Sequence, residues 1–84
     1  MRAEEFLELL RRRPFTPLRI YLTDGTTYDI PHPDFVWVLR TRIDIGVLAD
    51  PKTGVLDHVE HVSLLHVVRV EPMQPASPVG FANN

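Results

Sequence analysis

Leu18-Arg19-Ile20-Tyr21-Leu22-Thr23-Asp24-Gly25-Thr26-Thr27-Tyr28-Asp29-Ile30 is the stretch whose reading decides the fold. Two alternating runs flank Asp24-Gly25, the strongest short-range hairpin signal a sequence carries. A two-residue loop would pair Ile20 with Asp29 and Tyr21 with Tyr28, mixing polar and apolar groups on both faces. A three-residue loop, Thr23-Asp24-Gly25 with Gly25 in the left-handed region, sorts the side chains instead. Leu22 then faces Thr26, Ile20 faces Tyr28 and Leu18 faces Ile30, all on one side. Tyr21 meets Thr27 and Arg19 meets Asp29 on the other. A one-residue slip would move every side chain to the wrong face, so the sorting selects the three-residue loop.

Outward from the hairpin, the N-terminal flank reads as a short helix. Ala3, Phe6, Leu7 and Leu10 follow the i, i+3, i+4, i+7 spacing of one apolar stripe. Glu4 and Glu5 stand in its first turn and Arg11, Arg12 and Arg13 in its last, so both ends complement the helix dipole. Pro14 ends it by driving Arg13 out of the helical region. So short a helix must dock its stripe on the sheet to persist. Phe15-Thr16-Pro17 then connects it to the hairpin.

On the C-terminal flank, Pro31-His32-Pro33-Asp34 interrupts pairing, with Asp34 expected to cap the turn. Phe35-Val36-Trp37-Val38-Leu39 is apolar at every position, as in a strand covered on both faces. Ile43 to Leu48 resumes alternation, and a tight connection at Thr41-Arg42 would set Trp37 opposite Gly46. In that arrangement Val36, Val38, Ile43, Ile45 and Val47 share one face, and Phe35, Trp37, Leu39 and Leu48 share the other. Asp50-Pro51-Lys52-Thr53-Gly54 is a turn. Val55 to Val62 is a more polar strand, Ser63 to His66 a brief helical turn, and Val67 to Glu71 a last strand. From Pro72 onward, prolines without periodicity read as a disordered tail over 72–84.

The layout expected is therefore α+β and mostly β. One domain over residues 1–71 carries an N-terminal helix and five to six short antiparallel strands. They form a strongly bent sheet or a small SH3-like barrel.

The 84 residues suffice for one core, and the chain has no cysteine to supplement it with a disulfide or a thiolate metal site. The formal net charge of −2 lacks the basic footprint usual for nucleic-acid binders. No apolar run reaches the ~20 residues of a membrane span, and the charged opening residues lack a signal-peptide core. The compartment expected is the cytoplasm.

Candidate chemistry is sparse. His58, Glu60, His61 and His66, with Asp57, form the densest set of metal-capable side chains. On a strand His58 and Glu60 share a face while His61 points away, so a three-ligand site would need His66 folded back. His66, between apolar pairs, is expected to be partly buried and bonded to a turn carbonyl. His32 and Asp34 make the one acid–base pair in the break. Ser63 and Ser77 lie in no nucleophile context, and the isolated glycines form no phosphate loop. No catalytic residue, metal or cofactor is assigned.

The order Phe6-Leu7, Pro14-Phe15, Pro17-Leu18-Arg19-Ile20, Thr23-Asp24-Gly25, Ile30-Pro31-His32-Pro33-Asp34-Phe35 and Leu64-Leu65-His66-Val67-Val68-Arg69-Val70-Glu71 resembles a group of short bacterial proteins. That group brings no established activity. More loosely, the helix, the hairpin and the late turn before a Val-rich strand resemble the Sm-like family. The resemblance implies a bent barrel that assembles into rings and binds RNA. Val38 stands where that family's Asp-x-x-x-Asn pattern, counted from Asp34, ends in Asn.

Two functional expectations follow. The first is a non-enzymatic interaction module, self-associating or docked on a protein partner through Phe35, Trp37, Leu39 and Leu48. The alternative is an Sm-like RNA binder using Arg11, Arg12, Arg13, Arg40 and Arg42 with Tyr21 and Trp37, which requires those groups on one face.

Overall fold

In the computed structural model, which describes residues 1–73, the hairpin has the register its side chains select. Strand β1 (Leu18–Leu22) pairs with β2 (Thr27–Ile30), with Leu18 opposite Ile30 and Ile20 opposite Tyr28. The loop closes through the Leu22 N–H to the Thr26 carbonyl at 2.9 Å and the Gly25 N–H to the Leu22 carbonyl at 3.0 Å. Gly25 takes φ +88°, a conformation that costs glycine little and other residues much.

The remaining elements are α1 (Ala3–Arg11), a 3₁₀ turn over Pro33–Phe35, β3 (Val36–Val38), β4 (Arg42–Leu48), β5 (Leu56–Ser63), a second 3₁₀ turn over Leu64–His66, and β6 (Val67–Pro72). They form two three-stranded antiparallel sheets, ordered β2-β1-β6 and β3-β4-β5. Among the described residues no ladder joins the two, so the sheet is split rather than closed into a barrel. The second 3₁₀ turn ties the sheets together at one end. The Leu64 N–H donates to the Thr41 carbonyl at 3.0 Å, and the His66 carbonyl accepts from the Thr23 N–H at 2.9 Å.

One core lies between the sheets. Leu18, Ile20, Ile30 and Val67 enter it from the first sheet, and Val36, Ile43, Ile45 and Val62 from the second. Phe6 and Leu10 of α1 and Leu64 of the 3₁₀ turn complete it. Phe6 is fully buried, a contribution of roughly 1.5–3 kcal/mol. The helical stripe turns slightly from the one expected. Leu7 and Leu9 are both half-buried, and it is Leu9 that packs on the core beside Ala3.

Three expectations are corrected here. Val36 pairs with Ile45, Trp37 with Asp44 and Val38 with Ile43, so Trp37 does not cover Gly46. The turn lies at Arg40-Thr41, closed by the Leu39 N–H to the Arg42 carbonyl at 2.8 Å. Gly46 is covered instead by Leu56, whose methyl groups would lie 3.0 and 3.1 Å from a Cβ placed there. The shift spans two positions, so the sorting into faces survives it except at Leu48, where the β4–β5 register shifts. In the Pro31–Asp34 break, His32 rather than Asp34 provides the cap, its Nδ1 accepting from the Asp34 N–H at 3.2 Å. The last strand also runs beyond Glu71. Pro72 stands opposite Leu18, and the Met73 N–H donates to the Pro17 carbonyl at 2.7 Å. The rest of the expected tail, residues 74–84, lies outside the described residues.

Candidate interaction face

The outer faces of the two sheets differ in kind. On the first, every outward group of the β1 rows has a polar or charged partner. Arg19 grips Asp29 with two hydrogen bonds of 2.7 and 3.1 Å. The Arg19 hydrogen bond holds the Asp29 carboxyl below its usual range against the opposing effect of burial. The Tyr21 hydroxyl donates to Glu71 at 2.9 Å, and the Arg69 guanidinium lies 4.1 Å from the centre of the Tyr21 ring. That ring face is therefore occupied within the chain.

The outer face of the second sheet is mixed. Cross-strand pairing aligns Trp37, Asp44 and His61 in one row, and sets Gly46 beside Val59 in the next. Trp37 is 48% exposed, Leu39 39% and Val59 41%. Phe35 is half-buried, its ring edge-on to His32 at 6.3 Å. The charges beside this apolar row are internally paired. Asp44 accepts from His61 Nδ1 at 2.7 Å and from Arg42 Nε at 3.0 Å, and those bonds, the His61 one foremost, keep its carboxyl below the usual range.

Phe35, Trp37 and Leu39 thus stand on one strand face, as alternation requires. Leu48 does not join them. It is half-buried and lines a groove of about 700 Å³ with Pro17, Tyr28, Pro31, Val47 and Met73. Val59 is the member of the patch that sequence reasoning missed. Its alternation was visible, but only the β4–β5 register places it beside Gly46.

The arginines and aromatics of the RNA reading are divided. Arg13 donates to the Leu10 and Arg12 carbonyls at 2.8 Å each, closing the C-terminal end of α1 with Arg11 in its last turn. Arg40 and Arg42 flank Thr41 in the β3–β4 turn, beside the other end of that helix. Tyr21 is on the first sheet and Trp37 on the second.

The histidines are also separated. His58 Nδ1 lies 2.7 Å from Asp57 and Nε2 2.8 Å from Glu60, while His61 faces Asp44 on the opposite side of β5. His66 is exposed, with Nδ1 3.3 Å from the Thr23 hydroxyl, instead of partly buried against a carbonyl. The 3₁₀ turn buries Leu64 and so turns His66 outward. Among the described residues no three His, Asp or Glu side chains converge as metal ligands. No helix among them is long and apolar enough to cross a membrane. Compared with protein-family models, curated proteins and solved structures, the chain shows no significant match to any.

Proposed function

We propose that the chain is a non-enzymatic interaction module that self-associates through the outer face of β3-β4-β5. The observation that carries this reading is Trp37, half-exposed between Phe35 and Leu39 and on the face shared by Val59. Around β1 the first sheet turns Arg19 and Tyr21 outward with polar partners, and exposed apolar residues elsewhere, such as Val68 and Leu65, stand singly, whereas Trp37, Leu39 and Val59 share one face. A second copy suits it because the adjoining row alternates in sign, with Arg42 next to Asp44. A two-fold axis through that row sets Arg42 of one copy over Asp44 of the other, the self-complementarity an isologous contact needs.

The area argues for a modest affinity. Burying what remains exposed of Trp37 and Leu39 is worth roughly 1–2 kcal/mol each, against an association cost of at least about 4 kcal/mol. The test is therefore light scattering coupled to size exclusion at ~100 µM. A dimer that Trp37→Lys splits, with the far-UV spectrum retained, is the expected result. A folded monomer at that concentration overturns the reading.

The second reading remains an RNA binder of Sm-like, barrel-related layout. It is favoured by the proximity of Arg40 and Arg42 to the sheet that bears Trp37.

A further inference from the structure

We infer that the pocket between the start of α1, the β3–β4 turn and the second 3₁₀ turn binds a small amphipathic anion, an apolar body carrying a phosphate or carboxylate head. The pocket encloses about 690 Å³ and is built from three separate parts of the chain. Arg2 comes from the helix start, Arg40 and Arg42 from the turn, and His61 and Ser63 from β5. Ala3, Leu64 and Leu65 supply apolar wall.

The charge here is out of proportion to the molecule. Three of the nine Lys and Arg residues of an acidic chain converge on this pocket. The others differ in disposition. Arg19 and Arg69 are bonded to carboxylates on the first sheet, and Arg13 to helix carbonyls. Among the described residues Arg40 makes no ion pair, and Arg2 meets Glu4 only at 3.6 Å with both side chains about three-quarters exposed. Arg42 is shared with Asp44, which positions its guanidinium along the pocket wall. Glu4 is the acidic residue lining the pocket, and it is outnumbered.

The apolar component is what separates this pocket from a plain anion patch. Leu65 is 87% exposed. Its exposure follows from the local geometry. The Ser63 hydroxyl accepts from the Leu65 N–H, and Leu64 takes the core position, which leaves Leu65 at the pocket rim. A leucine held outward beside three guanidinium groups fits a ligand whose head is anionic and whose body is apolar. Guanidinium groups take phosphate and carboxylate alike, by paired N–H donors.

Titration of the ¹⁵N-labelled chain with decyl phosphate, decanoate and inorganic phosphate tests this, with each amphiphile kept below its micelle concentration. Saturable amide shifts at Ala3, Thr41, Ser63 and Leu65 with either amphiphile are expected, and the stronger of the two identifies the head group. Inorganic phosphate should bind at least tenfold more weakly, lacking the apolar body. Arg40→Glu should weaken the amphiphile at least tenfold, the loss of one charge-assisted hydrogen bond or more. Leu65→Ser, a change at an exposed position, should weaken the amphiphile while leaving inorganic phosphate unchanged. Absence of saturable shifts at these amides, or affinities indifferent to both substitutions, overturns the assignment. Arg40 and Leu65 lie outside the Trp37 face, but Arg42 and His61 line the pocket and border that face, so the titration is repeated on Trp37→Lys, where retained binding separates this outcome from the oligomeric state.

Discussion

At the scale of single residues, Gly25 shows how a side-chain argument fixes a backbone angle. The faces of Leu18, Ile20, Leu22, Tyr28 and Ile30 require a three-residue loop, and that loop requires a left-handed residue before Thr26. The observed φ of +88° meets the requirement. A Cβ added there would meet no atom within 4 Å, so a substitution acts through backbone strain alone. Gly25→Val should therefore cost at least ~1 kcal/mol, and Gly25→Asn less, since asparagine tolerates the left-handed region. Urea denaturation midpoints of the three proteins check this, and equal midpoints contradict it. Gly46 teaches the opposite lesson. An aromatic ring across from a glycine is a plausible pairing by sequence, but Leu56, ten residues further on, occupies that space. Nothing local to Trp37 reveals it.

At the scale of elements, legibility followed the strength of the turn chemistry. Asp24-Gly25 fixes β1 against β2 because the Asp24 carboxylate accepts from the Thr26 N–H at 2.9 Å and glycine supplies the positive φ. Arg40-Thr41 offers neither device, so the β3–β4 register could not be read from its loop. The start of β5 has a different anchor. Its ladder with β4 shifts between Val47 and Leu48, and just beyond that shift His58 sits between two carboxylates. Carboxylates only accept hydrogen bonds, so an imidazole bonded at both nitrogens carries both protons. The Asp57 hydrogen bond, followed by that of Glu60, raises the His58 pKa above its ordinary 6.5. Stability from this clamp is fully present below about pH 6.5, the unfolded value, and is lost as pH rises through the higher folded value. The His58 ring should titrate by NMR above 6.5 and return toward it in Asp57→Asn/Glu60→Gln. The thermal midpoint of His58→Gln should lack the corresponding decline above pH 6.5. A titration midpoint at or below 6.5 in the unmodified chain rules the clamp out.

At the scale of the molecule, the sequence showed a helix, short strands and an apolar surplus in residues 35–48, and the structure divides that surplus between the two faces of one sheet, with Val36, Ile43 and Ile45 in the core and Trp37 and Leu39 outside. What could not be read is how the sheets meet, because the contacts that decide it, Thr23 to His66 and Thr41 to Leu64, join backbone groups far apart in the chain. Such backbone contacts leave no side-chain pattern to read. The same spatial arrangement governs affinity for RNA. Association with a polyanion scales with the number of phosphates neutralised together, each adding to the salt dependence. Here Arg13 is spent on helix carbonyls, Arg19 on Asp29 and Arg69 on Glu71, and Tyr21 is covered by Arg69. Arg42 is bonded to Asp44, and of the candidate set Arg11, Arg12 and Arg40 make no ion pair among the described residues, with Arg11 and Arg12 at the opposite end of α1 from Arg40. Fluorescence anisotropy with a labelled single-stranded RNA should accordingly give a Kd weaker than about 100 µM at physiological salt, the weak limit of non-specific binding. Submicromolar binding at that salt, abolished by Arg40→Glu with Arg42→Glu in a variant that still folds, would instead establish the RNA reading. The Trp37 face would then act as a base-stacking platform beside the two arginines rather than as a contact between copies.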